Sequence, residues 1–295
     1  MHDLSKTYGS TRALDGLTLT VAEGEVLGFL GPNGAGKTTT LRLLLGLIRA
    51  TRGRAEIFGV DCHADPVTAH RRLAFVPGEA SLWPSLTGEE TLHVLGRVHG
   101  RVDDAYRAEL IERFQLDPSK RARSYSKGNR QKVLLIAALM TRADLLLLDE
   151  PTSGLDPLME QIFRECISEV RQQGQTVVLS SHILSEVEAV CDRIAILRTG
   201  RLVESGDLGS MRHLSSLTVE AELMHPPPDL SAVAGVSGVV VDGLKVRCDV
   251  TGPIEPLLDA LTSAGVRRLM SREPSLEELF LAHYGDGAPE TSRAA

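Results

Sequence analysis

Residues 26–38 read VLGFLGPNGAGKT, and their order decides the fold. The first five form a short apolar run of the kind that becomes a strand buried on both faces. GPNGAGKT at 31–38 then matches G-x-x-x-x-G-K-[ST], and TTTLRLLLGLI at 38–48 continues with helical patterning. A strand, a glycine-rich turn and a helix in that order make a phosphate-binding loop. Gly31, Gly34 and Gly36 let backbone N–H groups turn inward around phosphate oxygens, Lys37 adds a point charge for the β- and γ-phosphates, and the Thr38 hydroxyl suits Mg²⁺. With Pro32, Asn33, Ala35 and the adjoining Thr39, these residues form the expected nucleotide-binding set.

Outward from the loop, buried-strand runs recur at 145–148, 176–179 and 194–197, separated by longer helical stretches, which is the pattern of an α/β protein with a parallel sheet. The run LLLLDEP at 145–151 ends in two carboxylates, at the strand end where such sheets place their ligands. Asp149 suits Mg²⁺, held directly or through water. Glu150 is the candidate catalytic base, able to orient and deprotonate an attacking water. Residues 86–143 are mostly helical in pattern and read as an insertion between strands.

Past residue 206 the texture changes. Residues 217–223 alternate as a strand, Pro226, Pro227 and Pro228 break the chain, and 239–250 contains an Asp242-Gly243 hairpin signal. Residues 253–264 and 275–284 pattern as helices. The expected division is a nucleotide-binding domain over 1–208, a small α+β domain over 215–287 and a disordered tail over 288–295.

The whole chain has 295 residues, 42% of them apolar, and a net charge of −7, which argues against a broad nucleic-acid surface. Its longest apolar run, residues 133–140, is far short of the roughly 20 residues that cross a bilayer. The four cysteines show no C-x-x-C spacing, and the N-terminal stretch lacks the apolar segment of a secretory signal, so a cytosolic chain with reduced thiols is expected.

Over about residues 4–207 the ordered motifs resemble the nucleotide-binding subunit of ATP-binding cassette (ABC) transporters. YSKGNRQ at 125–131 corresponds to the family's signature motif, SGLD at 153–156 to its D-loop (Ser153, Gly154, Leu155, Asp156), and His182 in LSSH to its switch histidine, grouped with Glu150 as catalytic. Tyr8 matches the aromatic that stacks on adenine. The resemblance implies a P-loop NTPase fold of the ABC ATPase type, ATP with Mg²⁺, and hydrolysis of ATP. One phosphate loop and one signature segment further imply a second copy of the domain. ATP is then sandwiched between copies, with Ser126, Lys127, Gly128 and Asn129 meeting it in trans at the start of a helix expected over 129–140.

The resemblance also implies a separate transmembrane permease, a cytoplasmic position on the inner face of the membrane, and no nucleic-acid partner. PSLEELFLAHYG at 274–285 and SLWPSLTGEE at 81–90, together with YSKGNRQK at 125–132, add a likeness to ATPase subunits of bacterial exporters of antibiotics and other hydrophobic compounds. Trp83 in the second stretch is read either as a contact for the membrane subunit or as core. A soluble ABC-type ATPase or a slow nucleotide-gated module are the alternative readings. The sequence departs from the family at the Q-loop, where Gly78 stands in place of glutamine and is followed by Glu79. It departs again at Tyr125, Lys127 and Asn129 of the signature.

Overall fold

The computed structural model describes residues 1–208 and 217–272. The chain divides into two units, Met1–Asp207 and Leu208–Ala295. In the first, β1 (His2–Tyr8) and β2 (Thr11–Leu17) form a hairpin, followed by β3 (Val26–Leu30), α1 (Lys37–Leu44), β4 (Arg52–Arg54), β5 (Glu56–Ile57), β6 (Val60–Asp61), α2 (Pro66–His70) and β7 (Leu73–Val76). Three helices, α3 (Gly88–His99), α4 (Asp104–Arg113) and α5 (Lys127–Leu139), then intervene before β8 (Leu145–Asp149). The unit closes with α6 (Pro157–Gln172), β9 (Thr176–Ser181), α7 (Leu184–Val190), β10 (Arg193–Arg198) and β11 (Arg201–Asp207).

The apolar runs become one six-stranded sheet of order β11-β10-β3-β9-β8-β7, parallel except for the edge strand β11. Every residue of β3, β8 and β9 is buried, as continuous apolar strands require when both sheet faces are covered. On one face Leu27, Phe29, Leu145, Leu147 and Val178 pack with Leu41 of α1 and with Leu4, Leu14 and Leu17 of the hairpin. That hairpin joins β4 in a second, antiparallel sheet of order β2-β1-β4. The sequence reading named no such sheet; the stretch LSKTY at 4–8 lies inside β1. Its residues alternate only weakly between buried and exposed, so periodicity gave little signal.

The inserted helices are bounded by local chemistry. Thr87 and Glu90 form a reciprocal capping box at the start of α3, and Gly100 ends it with φ of 79°. For α5 the structure corrects the expected start at 129 to Lys127. Ser126 is its N-cap, accepting a hydrogen bond from the Asn129 amide at 3.3 Å. A serine cap outweighs the poor helix propensity of Gly128 in the first turn, where glycine costs little.

In the second unit β12 (Leu217–Leu223), β13 (Val236–Asp242), β14 (Lys245–Val250) and β15 (Val266–Arg272) form an antiparallel sheet of order β13-β14-β12-β15, with α8 (Glu255–Thr262) before β15. Leu257 and Leu261 of α8 pack with Val219, Ala221, Leu223, Val246, Cys248 and Val250 of the sheet. The helix expected at 275–284 and the tail at 288–295 lie outside the described residues.

Candidate functional site

The loop from β3 to α1 holds the candidate phosphate site. Gly34 and Gly36 have φ of 81° and 110°, a region that side chains rarely enter. A Cβ on Gly36 would meet the Ala13 carbonyl and a Leu14 methyl at 2.8 Å, so β2 presses directly on the loop. Lys37, the first residue of α1, is 5% exposed and donates to the Gly31 carbonyl at 2.6 Å and the Pro32 carbonyl at 3.3 Å. Burial pushes its ammonium pKa down, and the nearby Glu150 and Asp149 carboxylates pull it back up.

Neighbouring parallel strands bring the two acids to this loop. Thr38 Oγ1 donates to Asp149 Oδ1 at 3.3 Å, and buried Ser180, from the end of β9, donates to the same oxygen. Glu150 Oε1 lies 3.8 Å from Lys37 Nζ and 3.0 Å from His182 Nδ1. Glu150 also adopts φ of 47°, a conformation that is costly for a non-glycine residue. Its amide is held by the Ser180 carbonyl at 3.0 Å and hydroxyl at 3.2 Å. A cation, an acid pair and a histidine thus converge at the ends of β3, β8 and β9.

Gly78 also reaches this cluster, since a Cβ there would lie 3.3 Å from the Asp149 carbonyl and 3.5 Å from its carboxylate. Glu79 is exposed. The signature residues contact the turn that follows Glu150. Lys127 Nζ donates to Ser153 Oγ at 2.7 Å, and a Cβ on Gly128 would collide with the Gly154 carbonyl at 2.4 Å. Buried Gln131 donates to the Pro151 carbonyl at 2.9 Å, fixing the same helix to the same turn. That turn is completed by Leu155, whose amide bonds the Thr152 carbonyl, and by Asp156, the N-cap of α6, which accepts from the Met159 amide at 3.1 Å.

Tyr8 ends β1, opposite Thr11 in the hairpin, and is 45% exposed with the Lys6 ammonium 4.8 Å from its ring centre. Trp83 is 50% exposed, which favours a contact role over a place in the core. Residues that the sequence reading missed include Ser180, Thr152 and Glu186. Ser180 and Ser181 carried a signal, two hydroxyls closing an otherwise apolar strand. Nothing in the helical pattern of 184–190 marked Glu186.

The sequence description of the ABC transporter family matches residues 14–153. The daunorubicin/doxorubicin resistance ATP-binding protein DrrA of Streptomyces peucetius is 36% identical over 98% of this chain and 93% of its own length. The Nod factor export ATP-binding protein I of Rhizobium etli is 32% identical over 96% of this chain and 92% of its own length. Among solved structures, an ATP-binding subunit of an ABC transporter superposes with a TM-score of 0.67 at 34% identity, covering 72% of this chain and 91% of the other.

Proposed function

The chain belongs to the ABC transporter family as an ATP-binding subunit with ATPase activity, and from that premise we propose that it dimerises on ATP to drive export through a separate membrane permease. The observation that carries the hydrolytic part is the contact chain from Lys37 through Glu150 to His182, at 3.8 and 3.0 Å, built on the phosphate loop and two strand ends. In this reading residues 31–39 wrap the phosphates of ATP. Lys37 leaves its own loop carbonyls for the β- and γ-phosphate oxygens, exchanging neutral acceptors for charged ones.

Glu150 takes a proton from the attacking water, and His182, donating through Nδ1, holds that carboxylate in place. Thr38 and Asp149 offer oxygen donors side by side, and the described residues contain no cluster of three metal-binding side chains. That donor set suits Mg²⁺, which characteristically completes its shell with phosphate and water. Bound there, Mg²⁺ would neutralise phosphate charge.

The second copy supplies Ser126, Lys127, Gly128 and Asn129 at the N-terminus of α5, whose orientation favours an anion. Because Ser153 bonds the Glu150 carbonyl at 3.1 Å and Lys127 bonds Ser153, the state of one ATP is passed to the signature face of the same chain. Tyr8 stacks on the adenine. The likeness to DrrA and to Nod factor export protein I supports an export role, with an antibiotic or another hydrophobic compound as cargo, and a place on the inner membrane face through the permease. No helix among the described residues is long and apolar enough to cross a membrane.

Glu150→Gln tests this reading. The amide keeps the shape and removes the base, so hydrolysis should fall at least about 100-fold while ATP binding by calorimetry is retained. With Mg²⁺ and ATP, light scattering should report a stable dimer. Hydrolysis at the parental rate would remove Glu150 from the chemistry.

A further inference from the structure

Glu186 lies in the first turn of α7, four residues beyond His182, and its carboxylate accepts two short hydrogen bonds, one from a turn and one from a strand end. Thr152 Oγ1 donates to Oε1 at 2.6 Å, and Ser181 Oγ donates to Oε2 at 2.6 Å. Thr152 follows Glu150 by two residues, in the turn after β8; Ser181 immediately precedes His182, at the end of β9. Both hydroxyl residues are buried, at 6% and 1% exposure. Ser181 is itself fixed, since its oxygen accepts the Ile183 amide at 2.9 Å. These three side chains, Thr152, Ser181 and Glu186, line one cleft of about 230 Å³ together with Glu150 and His182.

We propose that Glu186 is a positioning residue for ATP hydrolysis: it clamps the turn carrying Glu150 to the strand end carrying His182, so that the two side chains keep their 3.0 Å contact. The proposal rests on the reading of that pair as the hydrolytic centre. Its physical basis is the backbone at Glu150, where φ of 47° persists only if the surroundings hold it. The Glu150 amide is anchored to Ser180 on one side, and the clamp anchors the following turn on the other. An ionised carboxylate is acceptor-only, which suits a site facing two hydroxyl donors. Glu186 itself does not touch ATP in this arrangement; it acts through the geometry of its neighbours, where a shift of about 1 Å is enough to cost two orders of magnitude in rate.

The test uses the full-length chain with Mg²⁺ and ATP. Glu186→Ala should lower kcat about 10- to 100-fold while the KM for ATP changes less than about twofold. Thr152→Val, nearly isosteric, and Ser181→Ala should each lower kcat by less, with KM again held. Glu186→Gln keeps one acceptor and offers Thr152 a donor, so it should retain more activity than Glu186→Ala. The double variant Glu186→Ala with Thr152→Val should be no slower than Glu186→Ala alone, because one clamp cannot be lost twice.

Parental kcat in Glu186→Ala overturns the proposal, and so does multiplication of the two losses in the double variant. A fall in ATP affinity matching the fall in rate overturns it as well, because that marks general damage to the fold. Glu150→Gln, measured alongside, separates the two readings: its failure to slow hydrolysis sinks the base assignment, whereas the clamp stands or falls on Glu186 and Thr152.

Discussion

The chain contains two main sheets whose strands are similar in length and opposite in burial. Every residue of β3, β8 and β9 is buried, whereas β14 alternates and most of β13 is exposed. These three central strands have no free face, so the chemistry proposed for the sheet is confined to the strand ends, where Gly31, Asp149, Glu150 and His182 gather. The second is covered by α8 on one face. Among the described residues its other face carries cross-strand charge pairs, with Glu220 opposite Arg247 and Glu222 between Lys245 and Arg268. A sheet buried on both sides is thus intolerant in its middle and functional at its ends; a half-covered sheet is tolerant on its open face.

That contrast breaks or holds under mutation. Leu147, fully buried in β8, should cost about 3 kcal/mol of stability when changed to Ala, measured by denaturant unfolding. A cost under about 1 kcal/mol would show that the parallel sheet is less tightly enclosed than its burial indicates. Lys37→Ala leaves the sheet interior alone and removes charge at its end. It should weaken ATP binding about 10- to 100-fold by calorimetry with the unfolding transition nearly unchanged, and an unaltered affinity would deny the strand end its role. Val240, 61% exposed on β13, should tolerate Thr within about 0.5 kcal/mol. A larger loss there would mean that the face is covered in the full chain.

Much of this contrast was legible before any coordinates. Continuous apolar runs at 26–30 and 145–148 could satisfy themselves only as strands covered on both sides, and the alternation at 217–223 only as a strand covered on one. The phosphate loop was equally plain, because glycines at fixed offsets before Lys-Thr have a single well-known use. The β1-β2-β4 sheet was not legible, since the β1–β2 hairpin is irregular in register and β4 is only three residues long, joining β1 across roughly 50 residues. The start of α5 was misplaced by two residues because Gly128 reads as a helix breaker until the Ser126 cap is seen.

By itself the sequence determined the α/β class, the phosphate loop, the acid pair and the change of texture near residue 206. Each is a local pattern, written in consecutive residues. Only the tertiary structure decided that Ser180 supports both Asp149 and the Glu150 amide, that Gly78 lies against Asp149, that Lys127 and Gly128 grip the turn at 153–154, and that Glu186 joins Thr152 to Ser181. These contacts depend on which strands are neighbours in the sheet and on atoms meeting within a few tenths of an ångström. A hydrogen bond between residues 30 apart leaves no period in the sequence; it exists because β8 and β9 pair in parallel and end side by side.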